Sequence, residues 1–392
     1  MNAENLNLAL KSRPMFALLI AQFLSALADN ALLIVAIALM KTTGQVDHIS
    51  WLQIGFVLPF IVLAPFVGAV ADAYPKGRVM LVGNAIKLVG TVMIMMGVSP
   101  VLSYLIVGIG ATLYSPAKYG ILTQFFHADN LVKANSWLEG STIAAILLGV
   151  VLGGLFADKS IQLALMGVVT IYALATITNL FIPRLRAECE LQRWRFVQLV
   201  VGFWRAIVIL IKDPAAFISL LGTSLFWGSG AALRLMLFVW VPLALGIADN
   251  QTPANLMGVL SVGIVIGAVI AATSINLAGV HKAFIGGLLI GPLIVMLAWQ
   301  TTIYPTVLLL IALGAAGGVF IVPLNALLQQ RAHMSVGVGH GLAIQNLFEN
   351  ITMLILVSSY SGMAAYPVTH VITTLGLIVL LSISGLLWKI RH

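Results

Sequence analysis

The sequence predicts an all-α membrane protein, with twelve transmembrane helices in two pseudo-symmetric six-helix bundles. Three observations predict it. Hydrophobic residues make up 61% of the 392 and charged residues only 8%, against about 25% charged in soluble proteins. So few charges cannot cover a water-exposed surface. Apolar runs of about twenty residues recur from end to end, each long enough to cross about 30 Å of hydrocarbon as a helix. Related motifs also recur in the two halves at nearly constant spacing. Outer-membrane strands would instead need strict alternation over roughly ten-residue segments, which these runs lack.

Taken in order, the spans fall at 15–40, 50–71, 77–97, 101–123, 136–157, 161–182, 214–245, 256–277, 282–300, 304–329, 339–362 and 367–388. The stretch from His281 to Gln330 would be roughly 75 Å long as one helix. It must fold back, and Gln300-Thr301-Thr302-Ile303-Tyr304-Pro305 is its only polar, proline-bearing place to do so. The longest polar stretch, Pro183 to Asp213, carries Arg184, Arg186, Arg193, Arg195, Arg205 and Lys212. It reads as a linker with an amphipathic interfacial helix around Trp194 to Ile211. It divides the chain into a first bundle (1–182), a cytoplasmic linker (183–213) and a second bundle (214–392).

Charge sets the orientation. With the N-terminus cytoplasmic, fifteen of the 20 Lys and Arg fall inside, Lys41 and Lys159 fall outside, and three lie within spans. By the positive-inside rule both termini are cytoplasmic. This also accounts for the net charge of +8 without nucleic acid, because these residues face anionic lipid headgroups. The one cysteine, Cys189, excludes a disulfide framework within the chain.

The halves read as repeats. Ser115-Pro116-Ala117-Lys118 lies about 207 positions before Val322-Pro323-Leu324-Asn325, and Asn135-Ser136-Trp137-Leu138-Glu139 lies 210 before Gln345-Asn346-Leu347-Phe348-Glu349. Asp29 precedes Arg234 by 205. Parallel six-helix repeats build the major facilitator architecture, with the substrate site near mid-membrane.

Six charged residues sit inside spans: Asp29, Lys87, Lys118, Glu139, Arg234 and Glu349. Facing lipid at mid-membrane each would cost about 2.5–3.5 kcal/mol, on the order of 15–20 kcal/mol together. They must face a polar cavity or one another. Asp29, Arg234 and Glu349 lie near the middle of their spans and are the first candidates for a charged substrate site, with Arg234 bridging the two acids. Gln22 and Ser25 share the face of Asp29, Trp227 that of Arg234, and Gln345 that of Glu349. Lys118 and Glu139 lie toward the cytoplasmic ends of their helices, where a gate or structural pair fits as well as a ligand contact. Lys87, Tyr114 and Asn325 are further cavity candidates. Asn325, Gln345 and Asn346 also suit helix–helix hydrogen bonding.

The loop Gly68-Ala69-Val70-Ala71-Asp72-Ala73-Tyr74-Pro75-Lys76-Gly77-Arg78 carries its own signal. Gly68 allows close helix approach, Asp72 can cap a neighbouring helix N-terminus, and Lys76 and Arg78 anchor the cytoplasmic face. It resembles the loop motif of the major facilitator superfamily, a conformational switch, with a one-residue insertion at Pro75 and no Arg after Asp72.

Tyr114-Ser115-Pro116-Ala117-Lys118-Tyr119-Gly120, Leu131-Val132-Lys133-Ala134-Asn135, Gly222-Thr223-Ser224-Leu225-Phe226-Trp227-Gly228 and Val322 through Gln329 resemble the bacterial lysophospholipid transporter family. So does Phe23 through Ala26 running to Asp29-Asn30. The resemblance spans nearly the whole chain. It implies a flippase of the inner membrane that moves lysophosphatidylethanolamine and lysophosphatidylglycerol from the outer to the inner leaflet. A cytoplasmic-side acyltransferase then reacylates them. It also implies cavity roles for Asp29, Asn30, Lys118, Arg234 and Glu349. Arg234 or Lys118 would take the phosphate, and Asp29 or Glu349 the ammonium. No cofactor, metal or nucleic acid is implied.

Two other classes compete. A proton-coupled exporter of small amphiphilic drugs would use Asp29 or Glu349 as proton carrier. A lipid-repair enzyme would need chemistry the sequence lacks: no histidine has an aspartate five positions later, and there is no Gly-x-Ser-x-Gly elbow or Walker loop.

Overall fold

The computed structural model describes residues 9–45, 49–183, 185–187, 196–247, 251–363 and 366–391. These form α1 (Arg13–Thr42), α2 (Ile49–Val62), α3 (Ala64–Ala73), α4 (Lys76–Met95), α5 (Pro100–Phe125), α6 (Ala128–Lys159) and α7 (Ile161–Asn179). They continue with α8 (Phe196–Lys212), α9 (Pro214–Leu245), α10 (Gln251–Ser274), α11 (Ala283–Ala298), α12 (Ile303–Ser335), α13 (Val338–Gly362) and α14 (Val368–Arg391). No strand occurs among the described residues.

Among the described residues, eleven helices are long and apolar enough to cross a membrane. The twelfth span corrects a sequence expectation: 50–71 is not one helix but α2 and α3, bent by 66° across Leu63. Pro65 opens α3. It has no N–H for the hydrogen-bond ladder of α2, and its ring crowds the preceding turn. The chain between His281 and Gln330 folds back where expected, with α11 ending at Ala298 and α12 starting at Ile303.

Elsewhere the helix ends follow local chemistry. Asp213 caps α9, accepting from Ala215 N at 2.9 Å and Ala216 N at 3.3 Å, and Pro214 follows it. Gly246 ends α9 with φ at +69°, which suits glycine. Ser160 accepts from Leu163 N at 3.4 Å and starts α7.

α8 falls in the stretch that the sequence reads as a linker. Phe203, Ala206, Ile207 and Leu210 are buried at i, i+3, i+4 and i+7. Val197, Val201, Trp204, Val208 and Ile211 form a second apolar row that is exposed, beside a row carrying Gln198, Arg205 and Lys212. The linker residues Arg184, Arg193 and Arg195 lie outside the described residues.

The chain condenses into two compact units. The first comprises Met1–Ala128, Ser141–Leu210 and Gln329–Leu347; the second comprises Asp129–Gly140, Ile211–Leu328 and Phe348–His392. Their membership does not run along the two sequence halves: the start of α6 belongs to the second unit, and the α12–α13 junction to the first. The core of the first unit gathers Ala28, Leu32 and Val35 of α1, Tyr104 and Val107 of α5, and Leu165, Val168 and Tyr172 of α7. That of the second gathers Leu237 and Trp240 of α9, Phe284 and Ile294 of α11, Phe320 of α12 and Ile372 and Ile383 of α14. In the first unit α4 and α5 approach through glycines. A Cβ at Gly83 would lie 2.8 Å from Gly110 O, so larger residues would force the helices apart. That approach brings Lys87 to α5.

Candidate functional site

The first polar cluster grows from one face of α1. Gln22, Ser25 and Asp29 repeat at helical spacing and meet polar residues of other helices in the same unit. Gln22 Nε2 donates to Thr142 Oγ1 of α6 at 2.8 Å. Ser25 Oγ donates to Asn84 Oδ1 of α4 at 2.7 Å. Lys87 of α4 donates to Ser25 Oγ at 2.9 Å and to Asp29 Oδ2 at 2.8 Å. Tyr172 of α7 donates its hydroxyl to Asp29 Oδ1 at 2.6 Å. The result is a chain of donors and acceptors from Asn84 through Ser25, Lys87 and Asp29 to Tyr172.

Burial gives this cluster a front and a back. The Lys87 side chain is 2% exposed and that of Asp29 20%. The lysine stem fits because α5 has no side chain at Gly110: a Cβ there would lie 2.8 Å from Lys87 Cγ. The ammonium also lies 4.9 Å from the centroid of the buried Tyr114 ring, a cation–π contact. Asp29 was expected to pair with Arg234. Within its own unit it is already met by Lys87 and Tyr172. Asn30, one residue on, donates back to Ala26 O at 2.8 Å and stands outside the cluster.

In the second unit Arg234 is exposed and Glu349 is buried. α9 and α13 pack where a Cβ at Gly228 would lie 2.7 Å from Thr352 Cγ2, one turn from Glu349. Trp227 stacks edge-on against Phe226, with ring centroids 5.4 Å apart. Glu139 accepts from Asn325 Nδ2 at 3.1 Å.

A related pair lies in the first unit, where Asn346 Nδ2 donates to Ser115 Oγ at 3.1 Å. Ser115 and Asn325 lie in the repeated motif of α5 and α12, and Glu139 and Asn346 in that of α6 and α13, each one turn or less from the strictly equivalent position. Each of the two hydrogen bonds thus joins a motif of one repeat to the neighbouring motif of the other. Lys118 of α5 is buried, its ammonium 4.1 Å from the centroid of the Tyr119 ring, and Gln345 is buried on α13.

The third cluster stands at the α3–α4 corner. Asp72 Oδ1 accepts from Gly339 N at 2.6 Å, and Asp72 Oδ2 accepts from His340 N at 3.1 Å. His340 Nδ1 lies 2.8 Å from the same Oδ2. Asp72 therefore sits on the N-terminus of α13, where free amides and the helix dipole favour an anion. Lys76 Nζ lies 3.7 Å from Asp72 Oδ1 and donates to Ala71 O at 3.2 Å. Gly68 lets α3 touch α13 directly, since a Cβ there would lie 2.8 Å from His340 Cα. Gly77 packs on Ile182, and Arg78 is exposed.

Comparison with known proteins places this arrangement. The family model "Major Facilitator Superfamily" matches residues 18–357. The lysophospholipid transporter LplT of Serratia proteamaculans is 49% identical over 356 residues, covering 90% of this chain and 89% of that one. The LplT of Photorhabdus laumondii is 47% identical over 388 residues, 98% of this chain and 97% of the other. The chain belongs to the Major Facilitator Superfamily, among its LplT-like transporters. The fold agrees at long range. The crystal structure of the human organic anion transporter MFSD10 superposes with a TM-score of 0.80 at 16% identity, over 95% of this chain and 99% of that one. A bacterial homologue of the iron transporter ferroportin gives 0.76 at 17%, over 96% and 98%.

For an LplT-like chain, three partners in these clusters escape a reading of the sequence: Tyr172, Thr142 and His340. Tyr172 sits in an apolar run where an aromatic signals core. Its position on the Asp29 side of α7 depends on how that helix is rotated. His340 follows a glycine-rich turn and reads as loop, although it lies in the first turn of α13.

Proposed function

We propose that this chain is a lysophospholipid flippase of the bacterial inner membrane. It moves lysophosphatidylethanolamine and lysophosphatidylglycerol from the outer to the inner leaflet by alternating access, and a cytoplasmic-side acyltransferase reacylates the product. Both termini face the cytoplasm, and the bundles 1–182 and 214–392 are the moving bodies joined by the linker 183–213. The observation that carries this reading is identity of nearly half the residues to LplT proteins over almost the full chain. Charged residues kept at mid-helix support it, because a polar headgroup must be met inside hydrocarbon.

Arg234 takes the phosphate. Its guanidinium is exposed, and its planar donors match two phosphate oxygens at once. Glu349, with Gln345 and Asn346 near it on α13, receives the ammonium where the lipid has one. The acyl chain stays against apolar helix faces or lipid. The α3–α4 corner, from Gly68 to Arg78, with Lys118 and Glu139, serves the conformational change.

The test is a leaflet-to-leaflet assay in proteoliposomes with both labelled lipids. Arg234→Lys should lower both rates about tenfold, since a point charge replaces a two-point donor. Arg234→Ala should abolish them while the protein remains folded by size-exclusion chromatography. Parental rates in Arg234→Ala protein would sink the phosphate role.

A further inference from the structure

We infer that Lys87 and Tyr172, rather than a lipid ammonium, are the standing partners of Asp29, so that the choice between zwitterionic and anionic headgroups is not made at Asp29. The inference deepens the transport reading and rests on it for the identity of the lipids.

Three observations converge. Both carboxylate oxygens are engaged, Oδ2 by Lys87 at 2.8 Å and Oδ1 by the Tyr172 hydroxyl at 2.6 Å. Lys87 is the hidden member of the pair at 2% exposure and Asp29 the visible one at 20%, so a ligand meets a carboxylate already backed by its own cation. Lys87 is also committed elsewhere, through Ser25 Oγ at 2.9 Å and the Tyr114 ring at 4.9 Å, with its stem against Gly110. It has no short route to another anion.

Coulomb energy falls as 1/r. If the lysine ammonium stands about twice as far from an incoming lipid ammonium as the carboxylate does, it cancels about half of the attraction that Asp29 alone would exert. A site balanced in this way distinguishes the two headgroups only weakly. Lys87 and Tyr172 act as positioning residues: they fix the carboxylate and balance its charge without touching the lipid.

The experiment follows both lipids through proteoliposomes carrying the unmodified chain, Asp29→Asn, Lys87→Met and the double substitution. Each single change breaks a buried pair and should slow both lipids by the same factor, at least about tenfold. The ratio of the two rates should stay within about twofold of the parental value. The double substitution removes both charges together and should recover part of the rate for both lipids. If Asp29→Asn instead slows lysophosphatidylethanolamine at least about fivefold more than lysophosphatidylglycerol, Asp29 binds the ammonium and the inference is overturned.

Reductive methylation of lysines, mapped by mass spectrometry on the purified proteins, checks the pairing without transport. Lys87 should be protected in the unmodified chain and labelled in Asp29→Asn. Ready labelling of Lys87 in the unmodified chain would overturn the pair. If the unmodified chain moves neither lipid, it is the transport reading that fails, and the labelling pattern still decides the pairing.

Discussion

Two aspartates of the same unit are held in opposite ways. Asp29, at mid-helix, is met by side chains: the Lys87 ammonium and the Tyr172 hydroxyl. Asp72, at a helix end, is met by the main chain of Gly339 and His340 as well as the imidazole of His340. The side-chain partners of Asp29 are themselves buried, so they are held by packing as well as by their helices. A main-chain donor is fixed to its helix, so the Asp72 bonds break only when α3 and α13 part. Asp29 is held by side chains within the core of the unit, and Asp72 by a helix contact.

The sharpest way to break this comparison is at Asp72. Asp72→Ala leaves the Gly339 and His340 amides without their acceptor and takes the carboxylate away from Lys76, which is 1% exposed. Removing one partner of a buried ionic cluster costs about 3–5 kcal/mol. A large fall in the detergent melting temperature is expected, together with loss of transport. Asp72→Asn keeps one acceptor oxygen and should fall between the two. If Asp72→Ala melts no lower than Asp29→Ala, the main-chain clasp is no stronger than the side-chain pair and the distinction collapses.

The next test addresses the approach rather than the charge. Gly68→Ala places a methyl 2.8 Å from His340 Cα, a backbone atom that cannot turn aside. Overpacking of this kind costs about 1–3 kcal/mol. The contact between α3 and α13 should loosen, and transport should fall for both lipids with the Asp29 pair untouched. Protection of Lys87 from methylation is the control. Unchanged melting and unchanged rates would mean that the contact at Gly68 is dispensable.

How much of this is legible in the sequence depends on what physical rule decides it. Span positions are decided by hydrocarbon thickness, a one-dimensional rule, so α1, α4 to α7 and α9 to α14 can be located from hydropathy. The break between α2 and α3 is visible only as Pro65 and Pro59 within an apolar run, and hydropathy alone does not say whether a proline bends a span or merely sits in it. Asp29, Lys87 and Tyr114 stand out because charges and polar groups in hydrocarbon are costly. Which charge pairs with which does not stand out. It depends on helix rotation and on a single missing side chain at Gly110 that makes room for the Lys87 stem. The links Ser115–Asn346 and Glu139–Asn325 are a middle case. Their partners lie in motifs that the repeat already marks.

The smallest expected effect belongs to Tyr172, and it sharpens the comparison most finely. The ring is completely buried in the core of the first unit among Val35, Leu165 and Val168, so Tyr172→Phe keeps the packing and removes only the hydroxyl. The Lys87 bond to Asp29 Oδ2 remains, and Oδ1 loses one donor. One hydrogen bond of this kind contributes about 0.5–1.5 kcal/mol net, somewhat more when the acceptor is charged. Transport should therefore fall by about two- to tenfold, equally for both lipids, with little change in melting temperature. Lysine should remain protected from methylation, because its own partner is intact. A loss as large as that of Asp29→Asn would mean that the tyrosine, not the lysine, fixes the carboxylate. Asp29 would then be oriented by a neutral donor and free to meet a lipid cation, and the local neutrality argued from Lys87 would no longer hold.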